Sequence, residues 1–496
     1  MCGIVGTLNL RKDHPITELG LRQMLAMIRH RGPDQFGIYM DDRVGLGSAR
    51  LSIIDLSTGQ QPIANEDGTM WIVFNGEIFN YVELRPELEA RGHRFETTSD
   101  TEVILHLYED YGPACVQHLN GQFAFAIWDA RDGSLFLARD RVGIRPLYYT
   151  VADGALIFGS EMKAILADPR VPAEIDPTSL DQVFTFWSTL SPGTIFKGIQ
   201  DVPPGHYLMA RGGEITVEPY WQVAFPDAGG FDTARSLDDY LDEFRALLVD
   251  ATQIRLRADV PVGAYLSGGL DSSTTAAIIR NYTSNRLDTF SIAFSDPDFD
   301  ESQYQRQMAD FLGTDHQVVY VTHADIGRAF PDVIWHTEAP VTRTSPVPMY
   351  MLSKLVNDTN FKVVLTGEGA DEFLAGYNIF KEAKVRRFWA REPDSEARPA
   401  LLRRLYPYIA SLSSGGGAML AAFFRRGLEY VDARDYSHAL RWVNTGRTKR
   451  FFSDDLRARL DGIDATGDVY YPDAFQRWHP LNRAQYLEIS IFLAQY

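Results

Sequence analysis

Cysteine is nearly absent: the 496 residues include two, Cys2 and Cys115. Two thiols cannot make a disulfide framework, and so sparse a use fits a reducing compartment. Basic charge is also short. Forty-eight Lys and Arg stand against 66 Asp and Glu, a formal net charge of −18. That argues against a nucleic-acid partner, which requires clustered cations. No stretch approaches the roughly 20 apolar residues of a membrane helix. The start lacks the basic and apolar regions of a signal peptide. A soluble, cytoplasmic protein with no membrane or nucleic-acid partner is the expectation. The 11 histidines show no metal-ligand spacing of the H-E-x-x-H kind.

What the chain does have is bulk. It is 45% hydrophobic over a length sufficient for two to four domains. The first part is strand-rich. "WIVFNGEIFN", "GQFAFAIWDARDGSLFLARD" and "RPLYYTVADGALIFGS" alternate apolar and polar residues around Asp-Gly and Gly turns. Helical patterns are predicted near Glu18–Arg29 and over Thr101–Tyr111, the second after the cap-like Ser99-Asp100. "QVAFPDAGGFDTARS" is weakly patterned, rich in Pro and Gly, and reads as a linker.

Beyond it the pattern changes. A helix in "LDDYLDEFRALLVDATQIRLRADV" leads to a strand at Val262–Leu266, a glycine loop and a helix at Ser273–Asn281. Further strands are predicted at Thr289–Phe294, Gln317–Val321 and Lys362–Thr366, with helices between them. Such alternation favours a parallel sheet covered by helices. From Phe380 to Tyr496 the pattern is mostly helical, with a break at Ser413–Gly417. The expected division is a domain over residues 1–220, a linker over 221–236 and a second domain over 237–496. The chain closes on an apolar helix-like run without a stop signal, which reads as a truncation of the second domain.

Chemistry begins at "MCGIVG". If Met1 is removed, Cys2 carries a thiol and a free α-amine, a nucleophile beside a base. "FNGEIFN" offers the Asn75 side chain and the Gly76 N–H as oxyanion donors. Arg50, in "SARLSIID", can hold a carboxylate in a bidentate pair. Glu77 and Asp100 can hold an ammonium. The parts suit glutamine, although each alone has a bland reading: Cys2 as a small buried hydrophobe, "NG" as a turn, Arg50 as a surface ion pair.

"MCGIVG", "HRGPD" (His30–Asp34), "RLSIID" (Arg50–Asp55), "FNGEIFN" (Phe74–Asn80) and "SDTE" (Ser99–Glu102) together resemble the glutaminase domain of class II glutamine amidotransferases. That resemblance covers about the first two hundred residues. It implies an N-terminal-nucleophile hydrolase fold, two antiparallel sheets between helices. It also implies Cys2 as nucleophile with its own amine as base, and Asn75 and Gly76 as the oxyanion hole. Arg50, Glu77 and Asp100 would bind glutamine, with the backbone of Leu51, Ser52, Ile53 and Ile54 lining the pocket. Glutamate and ammonia would be the products.

"AYLSGGLDSS" sets Ser267, Gly268 and Gly269, then Asp271, Ser272 and Ser273, between a strand and a helix. Glycines admit a close ligand, and helix N–H groups favour phosphate. The Walker lysine is missing. "SGGLDSS" instead resembles the pyrophosphate loop of ATP pyrophosphatases. "VVLTGEGADE" adds Gly367, Glu368, Gly369, Asp371 and Glu372. Carboxylates near phosphate act through Mg²⁺ or as proton acceptors, so Asp271 and Asp371 are the candidate magnesium contacts. "GEGADE" resembles the pattern of asparagine synthetases. There Glu368 would match the glutamate linked to proton removal. Leu266, Ile292, Thr366 and Gly367 would cradle adenosine, and Arg343 would fall in the acyl-adenylate segment.

The order of these two parts resembles the glutamine-hydrolysing asparagine synthetase family along almost the whole chain. The implied fold class is α/β and α+β in two domains: an N-terminal-nucleophile αββα sandwich, then a parallel-sheet nucleotide-binding domain with a helical C-terminal part. The implied activity is ATP-dependent amidation of aspartate with glutamine as amide donor, with ATP and Mg²⁺ as cofactors. A homodimer is implied by resemblance alone. Two other readings stay open. One is an amidotransferase of this architecture acting on a different carboxylate. The other is a glutaminase-only or binding protein with an inactive second half, because the family places a phosphate-contacting lysine beyond Tyr496. A β-lactam-forming relative is disfavoured by Cys2. Cys115 reads as core, and His30 as a loop-shaping residue.

Overall fold

Residues of alternating polarity build the first part of the molecule. On β5 (Met70–Ile78) Ile72 and Phe74 enter one core and Val73 another; on β6 (Gly121–Asp129) Phe123, Phe125 and Ile127 oppose Ala124, Ala126 and Trp128. This period of two makes a sheet apolar on both faces. The computed structural model describes residues 1–11, 15–282, 287–406 and 417–495. It divides into two units. One holds Met1–Asp176, Ser191–Gln222 and Arg235–Gly367; the other holds Pro177–Leu190, Val223–Ala234 and Glu368–Tyr496.

In the first unit, β1 (Gly3–Asn9), β2 (Gln35–Met40), β3 (Val44–Arg50), β8 (Tyr148–Ala152), β9 (Ala155–Gly159) and β10 (Gln200–Asp201) form an antiparallel sheet ordered β10-β8-β9-β1-β3-β2. A second antiparallel sheet runs β12-β11-β7-β6-β5-β4, adding β4 (Ile63–Ala64), β7 (Ser134–Arg139), β11 (His206–Arg211) and β12 (Glu214–Pro219). Ile4, Leu8, Leu46 and Phe158 of one sheet pack on Val73, Trp128, Leu137 and Leu208 of the other. Helices cover the outer faces. α1 (Glu18–Met27) brings Leu21 and Leu25 against Gly45 and Gly47 of β3. α2 (Tyr81–Arg91) and α3 (Asp100–Tyr111) bring Leu84, Leu88, Ile104 and Leu107 against Phe74 and Phe125. This is the αββα sandwich. Cys115 is fully buried in that outer core.

The same unit contains a parallel sheet, β15-β14-β13-β16, from β13 (Val262–Tyr265), β14 (Asp288–Phe294), β15 (Asp315–Val321) and β16 (Val363–Leu365). Helices α6 (Leu237–Ile254), α7 (Leu270–Tyr282), α8 (Ser302–Leu312), α9 (His323–Thr337) and α10 (Pro346–Asp358) connect or flank these strands. Ser236 and Asp239 form a reciprocal capping box at the start of α6.

The second unit is helical, with short helices and 3₁₀ turns around Trp442, Phe475, Trp478 and Leu487. Its core includes Phe186 of α5 (Pro177–Phe186), and Val223 and Phe225 pack against it. The stretch read as a linker thus sits on apolar side chains, with Asp227 paired to Arg477 at 3.1 Å. The break read at Ser413–Gly417 lies outside the described residues except for Gly417, where the helix Gly417–Arg425 begins.

Candidate active site

Cys2 lies just before β1, and its sulfur rests against the chain leaving β3. The Leu51 N–H donates to Sγ at 3.4 Å, and Sγ lies 3.6 Å from the Leu51 carbonyl. The Arg31 Nε–H donates to the Cys2 carbonyl at 2.9 Å. Around the sulfur opens a small pocket lined by Cys2, Arg50, Leu51, Ile53, Ile54, Gln61, Phe74, Gly76, Glu77, Ser99, Asp100 and Thr101. Eight of the ten residues expected for glutamine chemistry line it. Ser52 and Asn75 do not, for different reasons. Ser52 turns its backbone away: its N–H donates to Asp34 Oδ2 at 2.9 Å, and its carbonyl accepts from Lys362 Nζ at 3.2 Å.

Asn75 is fully buried on β5, and among the described residues neither its Oδ1 nor its Nδ2 has a hydrogen-bond partner. Leaving such groups unpaired costs about 1–3 kcal/mol each, so a buried amide held this way is suited to a transient acceptor. Gly76 follows, paired with Phe123 of β6; an added Cβ would lie 2.1 Å from the Gln122 carbonyl oxygen. Close sheet packing therefore fixes glycine there.

Arg50 is buried, and its guanidinium organises the pocket rim. It donates to Gln35 Oε1 at 2.7 Å and to the carbonyls of Ile54 and Asp55 at 2.8 and 2.7 Å. Those bonds curl residues 51–55 around it. Asp55 completes the turn, accepting from Thr58 N–H and Thr98 N–H at 2.7 and 2.9 Å. These bonds hold its carboxyl below the usual range despite desolvation. Glu77 accepts from Gln122 Nε2 at 3.0 Å. Asp100 accepts from the Ile78 N–H at 2.9 Å. Burial, with the nearby Glu77 charge, nonetheless pushes its carboxyl up to about 7. The α-amine of Met1 is driven down to about 5, mainly by burial.

Several contributors carried no sequence signal of their own. Gln61 Oε1 accepts from the Phe74 N–H at 2.7 Å and shapes the pocket floor. Asp259 and Lys362, hundreds of residues from the pocket loop in sequence, hold it from behind. The Asp55 N–H donates to Asp259 Oδ2 at 2.7 Å, the Asp259 N–H to the Ile53 carbonyl at 2.9 Å, and Lys362 Nζ to Asp34 Oδ2 at 2.6 Å.

The parallel sheet carries the second group. β13 ends at Tyr265, and Leu266, Ser267, Gly268 and Gly269 lead directly into α7. Gly268 has φ +80, and a Cβ there would meet Tyr304 Cβ at 2.8 Å, so glycine is required twice over. Ser267 and Ser272 are joined through their hydroxyls at 2.9 Å, and the Gly269 N–H donates to Ser267 Oγ at 3.2 Å. Asp271 lies in the first turn of α7 with Ser272 and Ser273. Ile292 is half-buried on β14, one residue past Ser291, whose hydroxyl donates to the Leu266 carbonyl. Thr366 and Gly367 follow β16, and a Cβ on Gly367 would lie 3.0 Å from Asp271 Cβ. The structure thus brings Leu266–Ser273, Thr366 and Gly367 together at the C-terminal ends of β13 and β16, where ligands meet open parallel sheets. Arg343 lies exposed between α9 and α10. Glu368 and Asp371 belong to the second unit, Asp371 in the short helix Ala370–Leu374. There the Tyr377 hydroxyl donates to Glu372 at 3.0 Å.

A cysteine at an antiparallel αββα sandwich and a glycine-serine loop on a parallel sheet define an amidotransferase joined to a nucleotide-dependent synthetase. Family models agree in order and extent: "Glutamine amidotransferase domain" matches residues 1–221 and "Asparagine synthase" residues 243–496. Asparagine synthetase (glutamine-hydrolyzing) 1 of Bacillus subtilis is 36% identical over 499 residues, 99% of this chain and 76% of that protein. Amidase chyE of Penicillium rubens is 35% identical over 517 residues, covering 98% and 74%. Asparagine synthetase B of Escherichia coli is 34% identical over 397 residues, covering 77% and 66%. The chain belongs to the glutamine-hydrolysing asparagine synthetase family.

Proposed function

We propose that the protein hydrolyses glutamine at Cys2 and uses the ammonia to convert aspartate to asparagine at the expense of ATP. The observation that carries the first half is the pocket in which Cys2, Arg50, Glu77 and Asp100 converge. With Met1 removed, the new amine belongs to Cys2. The burial that depresses the Met1 amine would keep this one neutral, fit to take the thiol proton. The thiolate attacks the glutamine side-chain carbonyl. Asn75 Nδ2 and the Gly76 N–H receive the oxyanion, Arg50 holds the α-carboxylate, and Glu77 and Asp100 hold the α-ammonium. Collapse releases ammonia, and water frees glutamate.

In the second half, the aspartate β-carboxylate attacks the α-phosphorus of ATP and pyrophosphate departs. The loop Ser267–Ser273 would hold the departing phosphates through hydroxyls and helix N–H groups. Leu266, Ile292, Thr366 and Gly367 would surround the adenosine, and Arg343 the acyl-adenylate. Asp271, in the first turn of α7 with Ser272, suits an oxygen-seeking cation. Mg²⁺ there would supply charge neutralisation of the phosphates. Glu368 would take a proton as ammonia displaces AMP. Ammonia released into neutral water would be protonated and lose its lone pair, so transfer must be dry. The cytosol supplies these substrates, and a homodimer is the expected assembly.

The likeness to an amidase supports a second reading, in which the same chemistry amidates another carboxylic acid. One experiment separates them: supply glutamine, Mg-ATP and a panel of carboxylic acids, and follow pyrophosphate and glutamate. Pyrophosphate release with aspartate, yielding asparagine, is the expected result. Release only with another acid selects the second reading, and glutamate without pyrophosphate leaves a glutaminase alone. In the same assay Asn75→Ala should lower glutamine-driven turnover about 10²–10³-fold and spare ammonia-driven turnover.

A further inference from the structure

Beyond the pocket-facing first turn of α3, four side chains from three chain segments point at one another. Glu66 follows β4. His93 follows α2, where Gly92, with φ +107, turns the chain back. His106 and Glu109 lie three residues apart on α3 and so share a face. We propose that Glu66, His93, His106 and Glu109 form a binding site for a zinc-class divalent cation.

The ligand atoms lie within 4.8 Å of one another. His106 Nδ1 is 2.7 Å from Glu109 Oε2, and His93 Nδ1 is 3.4 Å from the same oxygen. Glu66 stands 3.7 Å from His93 Nδ1 and 3.8 Å from His106 Nδ1. A tetrahedral zinc ion with ligands at about 2.0–2.1 Å has ligand–ligand edges of roughly 3.3–3.4 Å, so small side-chain adjustments close the shell.

The outer shell is as specific as the inner one. Both imidazoles present Nδ1 to the centre and direct Nε2 to a carboxylate: His93 to Asp110 at 3.2 Å, His106 to Glu102 at 3.6 Å. Glu66 accepts from the Arg94 N–H at 2.9 Å, and Glu109 from Asn65 Nδ2 at 2.8 Å. His93, Glu66 and Glu109 thus each have a second hydrogen-bonded partner that orients them, the arrangement metal sites use to fix imidazole tautomer and carboxylate position, while His106 Nε2 is buried beside Glu102 without a hydrogen-bond partner among the described residues. His106 is fully buried while Glu66 is partly exposed, so the site has a firm floor and an entrance. Two carboxylates, Glu66 and Glu109, face this point, and Asp110 and Glu102 stand behind the imidazoles, so the cluster calls for positive charge. Two nitrogen donors among the ligands favour Zn²⁺ over Mg²⁺ or Ca²⁺. The proton is the rival occupant, since these carboxylates also push the His106 imidazole up to about 9.

Glu102 connects the cluster to the glutamine pocket. It accepts from the Glu96 and Thr97 N–H groups, both at 2.8 Å, just before Ser99 and Asp100. A bound cation would therefore stiffen the pocket wall.

The test uses the full chain after chelator treatment, with Cys2→Ala to remove the thiolate as a competing ligand. Titration with Co²⁺ should give one equivalent with the visible absorption of a tetrahedral complex, displaced by Zn²⁺. Zn²⁺ should also raise the unfolding temperature. His93→Gln and Glu66→Gln, both at partly exposed positions, should each weaken Co²⁺ binding at least tenfold, and His93→Gln should abolish the Zn²⁺-dependent temperature shift. Absence of stoichiometric Co²⁺ or Zn²⁺ binding at micromolar metal overturns the proposal and leaves a proton-bridged ion-pair network. So does binding that both substitutions leave unchanged. Neither outcome bears on the glutamine and ATP chemistry, which the assay of substrates decides separately.

Discussion

Asp100 shows how a single residue can be set for a ligand before the ligand arrives. Its carboxyl is buried and close to Glu77, and its pKa stands at about 7 against an ordinary value near 3.9. The sign follows from proton counting. The folded protein retains this proton to higher pH than the unfolded chain, so Asp100's contribution to stability falls as pH rises from about 4 to about 7. An ammonium group placed beside it reverses that loss by favouring the carboxylate. If Asp100 holds the glutamine α-ammonium, the KM for glutamine should fall as pH rises from 6 to 8. Its slope should approach, below pH 7, tenfold per unit. Asp100→Asn should raise KM and flatten this profile while leaving ammonia-driven turnover intact. Steady-state kinetics across that range, with each nitrogen source, provide the check.

At the scale of elements, two parallel strands reach both sites. Asp259, just before β13, clamps Ile53 and Asp55; Lys362, just before β16, clamps Asp34 and Ser52. The opposite ends of β13 and β16 carry Ser267–Gly269 and Thr366–Gly367. At about 3.3 Å per residue these are short, stiff connections. Asp259→Asn and Lys362→Met should loosen the 51–55 loop and raise the KM for glutamine several-fold, with little change in the KM for ammonia. An equal effect on both nitrogen sources would show general damage instead. Clamps of this kind escape sequence reading because their partners are about two to three hundred residues apart. Regular elements did not escape it. Period-two runs marked β5 and β6, and Ser99 caps α3 through the Thr101 N–H as its position suggested. The start of α7 is instructive: Ser273 reads as an opening, yet the helix begins at Leu270. The hydroxyl of Ser272 bonds back to the Gly269 carbonyl and to Ser267, so a serine that favours caps instead ties the loop to the first turn.

Over the whole of the first unit, a file of buried charges joins the parallel-sheet portion to the nucleophile. Glu338, at the end of α9, accepts from the Met162 and Lys163 N–H groups at 2.8 and 2.5 Å, its oxygen 3.6 Å from Lys163 Nζ. Lys163 pairs with Glu161 at 2.5 Å, Glu161 with Arg31 at 2.9 Å, and Arg31 donates to the Cys2 carbonyl. Glu161 is the hinge of this file. His30, Arg31 and Lys163 outweigh its desolvation and hold its carboxyl down at about 2, well below the ordinary carboxylate range. A depressed carboxyl contributes stability above its unfolded pKa and loses it as pH falls from there toward about 2. Glu161→Gln leaves the buried Arg31 without a carboxylate and Lys163 with Glu338 alone, a change that costs about 3–5 kcal/mol. Urea unfolding should show that deficit at pH 7 and a smaller one near pH 3, where the same carboxyl is already protonated in the unfolded chain. The same substitution should release the Cys2 carbonyl from a fixed Arg31 and lower glutamine-driven turnover more than ammonia-driven turnover. A deficit independent of pH would mean that Glu161 acts through its shape, and the charged file would then not be what holds the sandwich to the parallel-sheet portion.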